Sequence, residues 1–144
     1  MAYCTQADLD AAVDSTTLMQ LTDDEGAGSI NTTRLQRAMD DATAEVDGHI
    51  RGRYSVPLAT VPPFIRVLTV HLAIHALYAR RGGAFGDLPP AVAQRYKSAQ
   101  DALRAIREGK LDLGVEPPPA RSAAIVADTD GPSRLFTHGT MGDF

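Results

Sequence analysis

Residues 62–81, PPFIRVLTVHLAIHALYARR, are apolar on nearly every side of a helical wheel, and a helix of that kind has to be covered by other helices. Pro62 and Pro63 suit a first helical turn, because proline fixes φ and lacks an N–H that would go unpaired there. Arg80, Arg81, Gly82 and Gly83 supply a cationic, glycine-ended stop. A membrane span needs roughly 20 apolar residues, whereas only about 16, Phe64 to Ala79, are mostly apolar, with Arg66, His71 and His75 among them. The expectation is an all-α fold: a small bundle of two short and three long helices around this buried central helix.

At 144 residues the chain fits one domain that buries about two-thirds of its unfolded surface without staples. A single cysteine, Cys4, excludes an internal disulfide framework and a multi-cysteine metal site. Met1 to Leu21 lacks the basic start and continuous apolar core of a leader, which sets the expectation of a cytosolic product. The net charge of −4 argues against wrapping nucleic acid. Its distribution is uneven: residues 1–60 hold ten acids against four bases, and residues 61–114 four acids against eight bases. Such a chain can stack on copies of itself, although a merely solvated surface has the same signature.

Thr5 and Asp8 stand at capping-box spacing before Leu9, Ala12 and Val13, which predicts a short first helix over residues 5–13. Asp14 or Ser15 caps a second, carrying Leu18, Met19 and Leu21. Both are too short to stand alone and should form a lid on the longer helices. From Thr33 to about Arg53, Leu35, Ala38, Met39, Ala42, Val46 and Ile50 recur at helical spacing. Pro57, Pro62 and Pro63 keep the following connection extended. After the loop GGAFGDLPP, Pro89 or Pro90 starts a last helix that ends at Gly109, with Val92, Tyr96, Ala99, Leu103 and Ile106 inward and Arg95, Lys97, Arg104, Arg107 and Lys110 outward.

Two stretches carry a faint metal signature. On the calcium-loop pattern, DDEGAGSIN places Asp23, Glu25, Gly28, Ile30 and Asn31 correctly, but Ala27 and Arg34 fall where two ligands belong. A glycine turn leading to an N-cap at Asn31 or Thr32 accounts for it better. His71 and His75 have the spacing of two zinc ligands on one face, yet no glutamate lies between them and no third ligand is evident. Core or interface histidines are the simpler reading. No metal, cofactor or catalytic residue is expected. Asp40, Asp41, Glu45 and Asp47 lack the apolar pocket that general acid–base chemistry needs.

After Gly114 the helical period ends, and the proline-rich residues 115–144 cannot pack a core of their own. The chain therefore divides into a helical domain, 1–114, and an extended C-terminal arm, 115–144. Leu135, Phe136, Met141 and Phe144, with Arg134, sit in an otherwise polar terminal strand. They read as partner-binding anchors, with main-chain pairing available at a sheet edge. Plain disorder stands level with that reading.

The succession YCTQADL, LMQLTDDEGAGSIN, DGHIRGRYSVPLATVPP, ALYARR, IREGKLDLGV and RLFTHGTMGDF resembles the small structural protein of Mu-like tailed phages and prophages, a family of head-to-tail adaptor, or head-completion, subunits. The likeness runs over nearly the whole chain. Its markers are Arg53, Tyr54, Pro57, Leu58, Pro62, Leu77, Tyr78, Gly109, Lys110 and Gly114. Ala27 and Arg34 depart from the more acidic turn common in the family and count against a metal there. The resemblance implies a homo-oligomeric, twelvefold ring in the virion neck, assembled in the host cytoplasm. The portal protein would lie on one side of it and a neck, stopper or tail-terminator protein on the other. Double-stranded DNA would pass through the lumen unread, and the arm would clasp a neighbour. Asp40, Asp41, Glu45 and Asp47 are then candidates for the channel lining, since an acidic or mixed wall avoids gripping phosphate.

Two other function classes fit the chain less well. A sequence-independent nucleic-acid-binding helical module would use Arg95, Lys97, Arg104, Arg107 and Lys110, against the chain's acidity and the lack of interleaved aromatics. A hydrolase built on His71, His75 and the acidic run lacks a nucleophile and a positioned base.

Overall fold

The computed structural model describes residues 2–82 and 88–115. Its helices are α1 (Gln6–Ala12), α2 (Ser15–Thr22), α3 (Thr32–Ile50), α4 (Pro63–Arg80) and α5 (Pro90–Arg107). The two short and three long helices expected are therefore present, with no strand among the described residues.

Local chemistry starts each helix. Thr5 and Asp8 close a capping box, the Thr5 N–H donating to the Asp8 carboxylate at 2.8 Å. Asp14 accepts the Thr17 N–H at 3.3 Å, and Asn31 accepts the Arg34 N–H at 3.1 Å. Where α4 and α5 begin, Pro63 and Pro90 occupy the first turn and no side chain caps it. Gly109, at φ +80°, ends α5 in a Schellman turn: Lys110 N–H donates to Ala105 O at 2.9 Å and Gly109 N–H to Ile106 O at 3.1 Å. Helix α3 ends at Ile50, short of Arg53, and the chain then tightens: Ile50 O accepts the Arg53 N–H at 2.9 Å as well as the Tyr54 N–H at 3.0 Å.

Packing is centred on α4, which touches each of the other four helices. Ile65, Leu72 and Leu77 of α4 meet Leu35, Val46 and Ile50 of α3 and Leu103 and Ile106 of α5 in one core. Leu9, Leu18 and Leu21 of the short helices close it as a lid. The cover over α4 is incomplete. Phe64 is 44% and Val67 50% exposed, and Val67 lines a trough shared with Asp8, Ala11 and Ala12 of α1.

The buried hydroxyls are satisfied locally: Thr22, Thr43 and Thr69 each donate to the carbonyl four residues back, at 2.8 Å. Tyr3 ties the N-terminus to the bundle. Its N–H donates to Thr43 Oγ1 at 3.0 Å, its phenol donates to Asp47, and the same oxygen accepts the Leu58 N–H at 2.9 Å. Burial, helped by the bond to Asp47, pushes the Tyr3 phenol up to about 12. The Val56–Pro57 bond that follows Tyr54 is cis.

Truncating Leu72 to Ala should cost about 2–5 kcal/mol in urea unfolding, whereas exposed Phe64→Ala should cost well under 1 kcal/mol, roughly the surface-substitution range. Because the folded Tyr3 pKa lies above its ordinary 10.0, the folded state holds that proton more tightly. Its contribution is complete below pH 10 and is lost as pH rises towards about 12. Comparing alkaline unfolding of the wild type with Tyr3→Phe should show this extra fall in stability in the wild type alone.

Candidate partner-binding surfaces

The segment that follows α5 is stitched back onto the α3–α4 connection by two adjacent side chains. A helix C-terminus leaves unpaired carbonyls and a partial negative charge, which a cation can meet. Arg53 Nη1 donates to Ile106 O at 2.9 Å and to Leu111 O at 3.5 Å. The guanidinium also lies 5.6 Å over the Tyr54 ring. Gly109 supplies the left-handed turn, and a Cβ there would meet the Arg53 Cζ at 3.5 Å, an ordinary contact. Tyr54 is buried, and its hydroxyl accepts the Leu113 N–H at 3.2 Å. Residues 106–113 are thus fixed to the body of the bundle. The anchors expected beyond it, Arg134, Leu135, Phe136, Met141 and Phe144, lie outside the described residues, as does all of 116–144.

The four acidic residues of α3 do not form one open strip. At about 100° per residue, Asp40 and Asp47 fall on one flank and Asp41 and Glu45 on the other. Asp40 is exposed and accepts the Gln36 side-chain amide at 3.0 Å. Half-buried Asp47 holds the Tyr3 phenol, and half-buried Glu45 holds the Gln100 amide of α5. Asp41 is exposed, and so are Arg37 and Ala44, which lie between the flanks. The open surface of α3 is therefore mixed in charge.

The turn with a calcium-like spacing is held by arginines. The Asp23 carboxylate accepts the N–H groups of Ala27 at 2.9 Å and Gly28 at 2.7 Å, with Gly26 and Gly28 at positive φ. Around Asp24 converge Arg80 at 2.6 Å, Arg81 at 3.4 Å and Arg34 at 3.5 Å. Arg34, at the position of the missing bidentate ligand, also donates to Glu25 at 3.2 Å and to Thr22 O at 3.0 Å. Hydrogen bonding from Arg80, and then the three positive charges, holds the Asp24 carboxyl below its ordinary range. Acids of the first half of the chain are thus met by bases of the second half, which cancels part of the charge asymmetry within one subunit.

The histidine pair is split between two environments. His75 stacks on Tyr96 of α5, ring centroids 3.7 Å apart and planes within 12°. His71 lies beside Val13, Ile74, Val92 and Arg95. Burial lowers both imidazoles below their ordinary pKa, so both are neutral at pH 7. Among the described residues no three metal-ligating side chains come together. No described helix is long and apolar enough to cross a membrane.

Composition and pattern pointed to α5 and the acidic run, and missed the Arg53–Tyr54 junction. Arg53, Tyr54, Gly109 and Gly114 stood out in the sequence only as spaced markers. The structure brings Arg53, Tyr54 and Gly109 into one cluster, with Gly114 next to Leu113.

Among known proteins, the sequence matches the family described as Bacteriophage Mu, Gp36 over residues 3–128. A relative, the "Mu-like prophage FluMu protein gp36" of Haemophilus influenzae, is 27% identical over 89 residues, or 62% of this chain. The matched stretch spans 59% of the length of that protein.

Replacing Arg53 with Ala should speed amide exchange at Leu111 and Leu113 by at least about tenfold while the helical signal is kept, since each lost hydrogen bond to a charged group contributes about 1.5–3 kcal/mol. Unchanged exchange there would mean that the junction is held by other contacts.

Proposed function

The chain belongs to the Bacteriophage Mu, Gp36 family, and from that premise we propose that it is a structural virion subunit. It acts as a head-to-tail adaptor in the phage neck. Copies form a twelvefold ring between the portal protein and the next component, a neck, stopper or tail-terminator protein, and double-stranded DNA passes through the lumen. The subunit carries no catalytic chemistry in this reading. Assembly takes place in the host cytoplasm.

The observation that carries the proposal is the anchoring of the segment that ends α5 and follows it. Arg53 and Tyr54 bind the carbonyls and N–H of residues 106–113. A segment meant to hold another subunit transmits force and position only if its root is fixed to a rigid body, and here the root is fixed to the core. In this reading residues 115–144 form the coupling arm, with Arg134, Leu135, Phe136, Met141 and Phe144 as its anchors.

The open face of α3, with Asp40 and Asp41 beside Arg37, supports a lumen wall of mixed charge. Such a wall does not hold phosphate as a continuous basic cradle does. The alternative, a nucleic-acid-binding module, is less well supported. Two of the five outward bases of α5 and its end are already paired, Arg104 with Asp101 at 3.8 Å and Lys110 with Glu108 at 2.7 Å.

Ending the chain at Val115 should leave a helical subunit whose particles carry DNA-filled heads but join no tails, as counted by electron microscopy. Tailed, infectious particles at wild-type yield would overturn the adaptor reading. Micromolar DNA binding that weakens steeply with salt would favour the alternative.

A further inference from the structure

Among the described residues, the large apolar side chains left more than a third exposed are Val56, Phe64, Val67 and Leu111. Phe64 and Val67 are one turn apart on α4, where its cover is incomplete. Val67 forms the lip of a trough of about 220 Å³ between α1 and α4. Its apolar surface comes from Ala12, Val67 and Val70, with neutral His71 beside them, and its rims carry one charge each: Asp8 on α1 and Arg66 on α4. The Asp8 carboxyl is held below its ordinary range by the Thr5 N–H and hydroxyl, so it is ionised at pH 7.

We propose that this trough receives the Arg134–Leu135–Phe136 segment of a second copy of this chain. The proposal rests on the adaptor reading and names the acceptor for its arm. The match is chemical: a cation directly followed by two large apolar side chains meets the Asp8 carboxylate, which Arg66 of the opposite rim shares, beside an apolar floor. Leu135 and Phe136 cover Val67, Ala11 and Ala12 above the buried Val70, and Arg134 pairs with Asp8.

The reach is sufficient. Residues 115 to 134 span up to roughly 60 Å when extended, about twice the length of α3 at ~28 Å, which is enough to reach the trough of a neighbour. Donor segment and acceptor trough are different parts of one chain. That is the heterologous geometry by which like copies close into a ring.

The test uses the full chain carrying Leu135→Ala and Phe136→Ala, so that its own segment does not compete. A labelled peptide of residues 130–144 is titrated into it. Saturable binding is expected, at least tenfold weaker when Val67→Glu is added, with amide shifts at Ala12, Val67 and Val70. Val67 is half exposed, so this substitution leaves the fold intact, which circular dichroism verifies. No binding, or binding indifferent to Val67→Glu, overturns the proposal.

Comparing amide shifts of the wild type with those of the Leu135→Ala/Phe136→Ala chain over a range of concentrations separates the copies. Differences that grow with concentration support the second copy, and differences constant on dilution place the segment in its own trough and overturn the assignment. If the peptide fails to bind while truncation at Val115 still prevents joining of heads to tails, the adaptor reading stands and the acceptor lies elsewhere.

Discussion

The 18 residues of α4 present no continuous charged face, so water has to be kept from them by neighbours on several sides. That constraint arranges the rest. Helices α3 and α5 run alongside α4 and meet each other through Glu45 and Gln100, while α1 and α2 lie over the remaining flank. Burying a Leu or Ile side chain contributes about 1.5–3 kcal/mol. The fully buried set of Ile65, Leu72, Leu77, Leu103 and Ile106 therefore outweighs any single surface ion pair. Only at Phe64 and Val67 does α4 keep large apolar side chains more than a third exposed.

With the core closed in this way, the two ends of the bundle acquire different chemistry. At one end, Asp24 and Glu25 are neutralised by Arg34, Arg80 and Arg81, while the Asp23 carboxylate is held by the N–H groups of its own turn. At the other, Arg53 and Tyr54 hold the end of α5, and Val56, Leu111 and Phe64 remain exposed on the segments that converge there. The apolar end is also the one where the described chain reaches Val115. In the proposed adaptor, that end is where contact with other chains is concentrated, and the DNA path needs no residue to read sequence.

Much of this was legible in the sequence where the determinants are local. Thr5 with Asp8, Asp14, Asn31, Pro63, Pro90 and Gly109 each act within one turn, and they set the helix limits to within a few residues. What escaped was long-range. Arg53 and the Ile106 carbonyl are 53 residues apart, Tyr3 and Leu58 are 55 apart, and Arg80 and Asp24 are 56 apart, so no periodicity connects them. The acidic run of α3 looked like one face because its letters are close together, whereas 100° steps divide it into two flanks. The hydropathy of 62–81 likewise told how apolar α4 is, and not which flank would stay open at Phe64 and Val67.

Family membership ties the chain to phage Mu Gp36, and the pinned root of its last segment gives that membership a mechanical sense. A density map of the assembled particle neck tests the claim most directly, by tracing the chain onward from Val115. The account predicts density that runs away from its own helices and lies against another polypeptide. Density that folds back along its own α3–α5 bundle, touching no other chain, would contradict it.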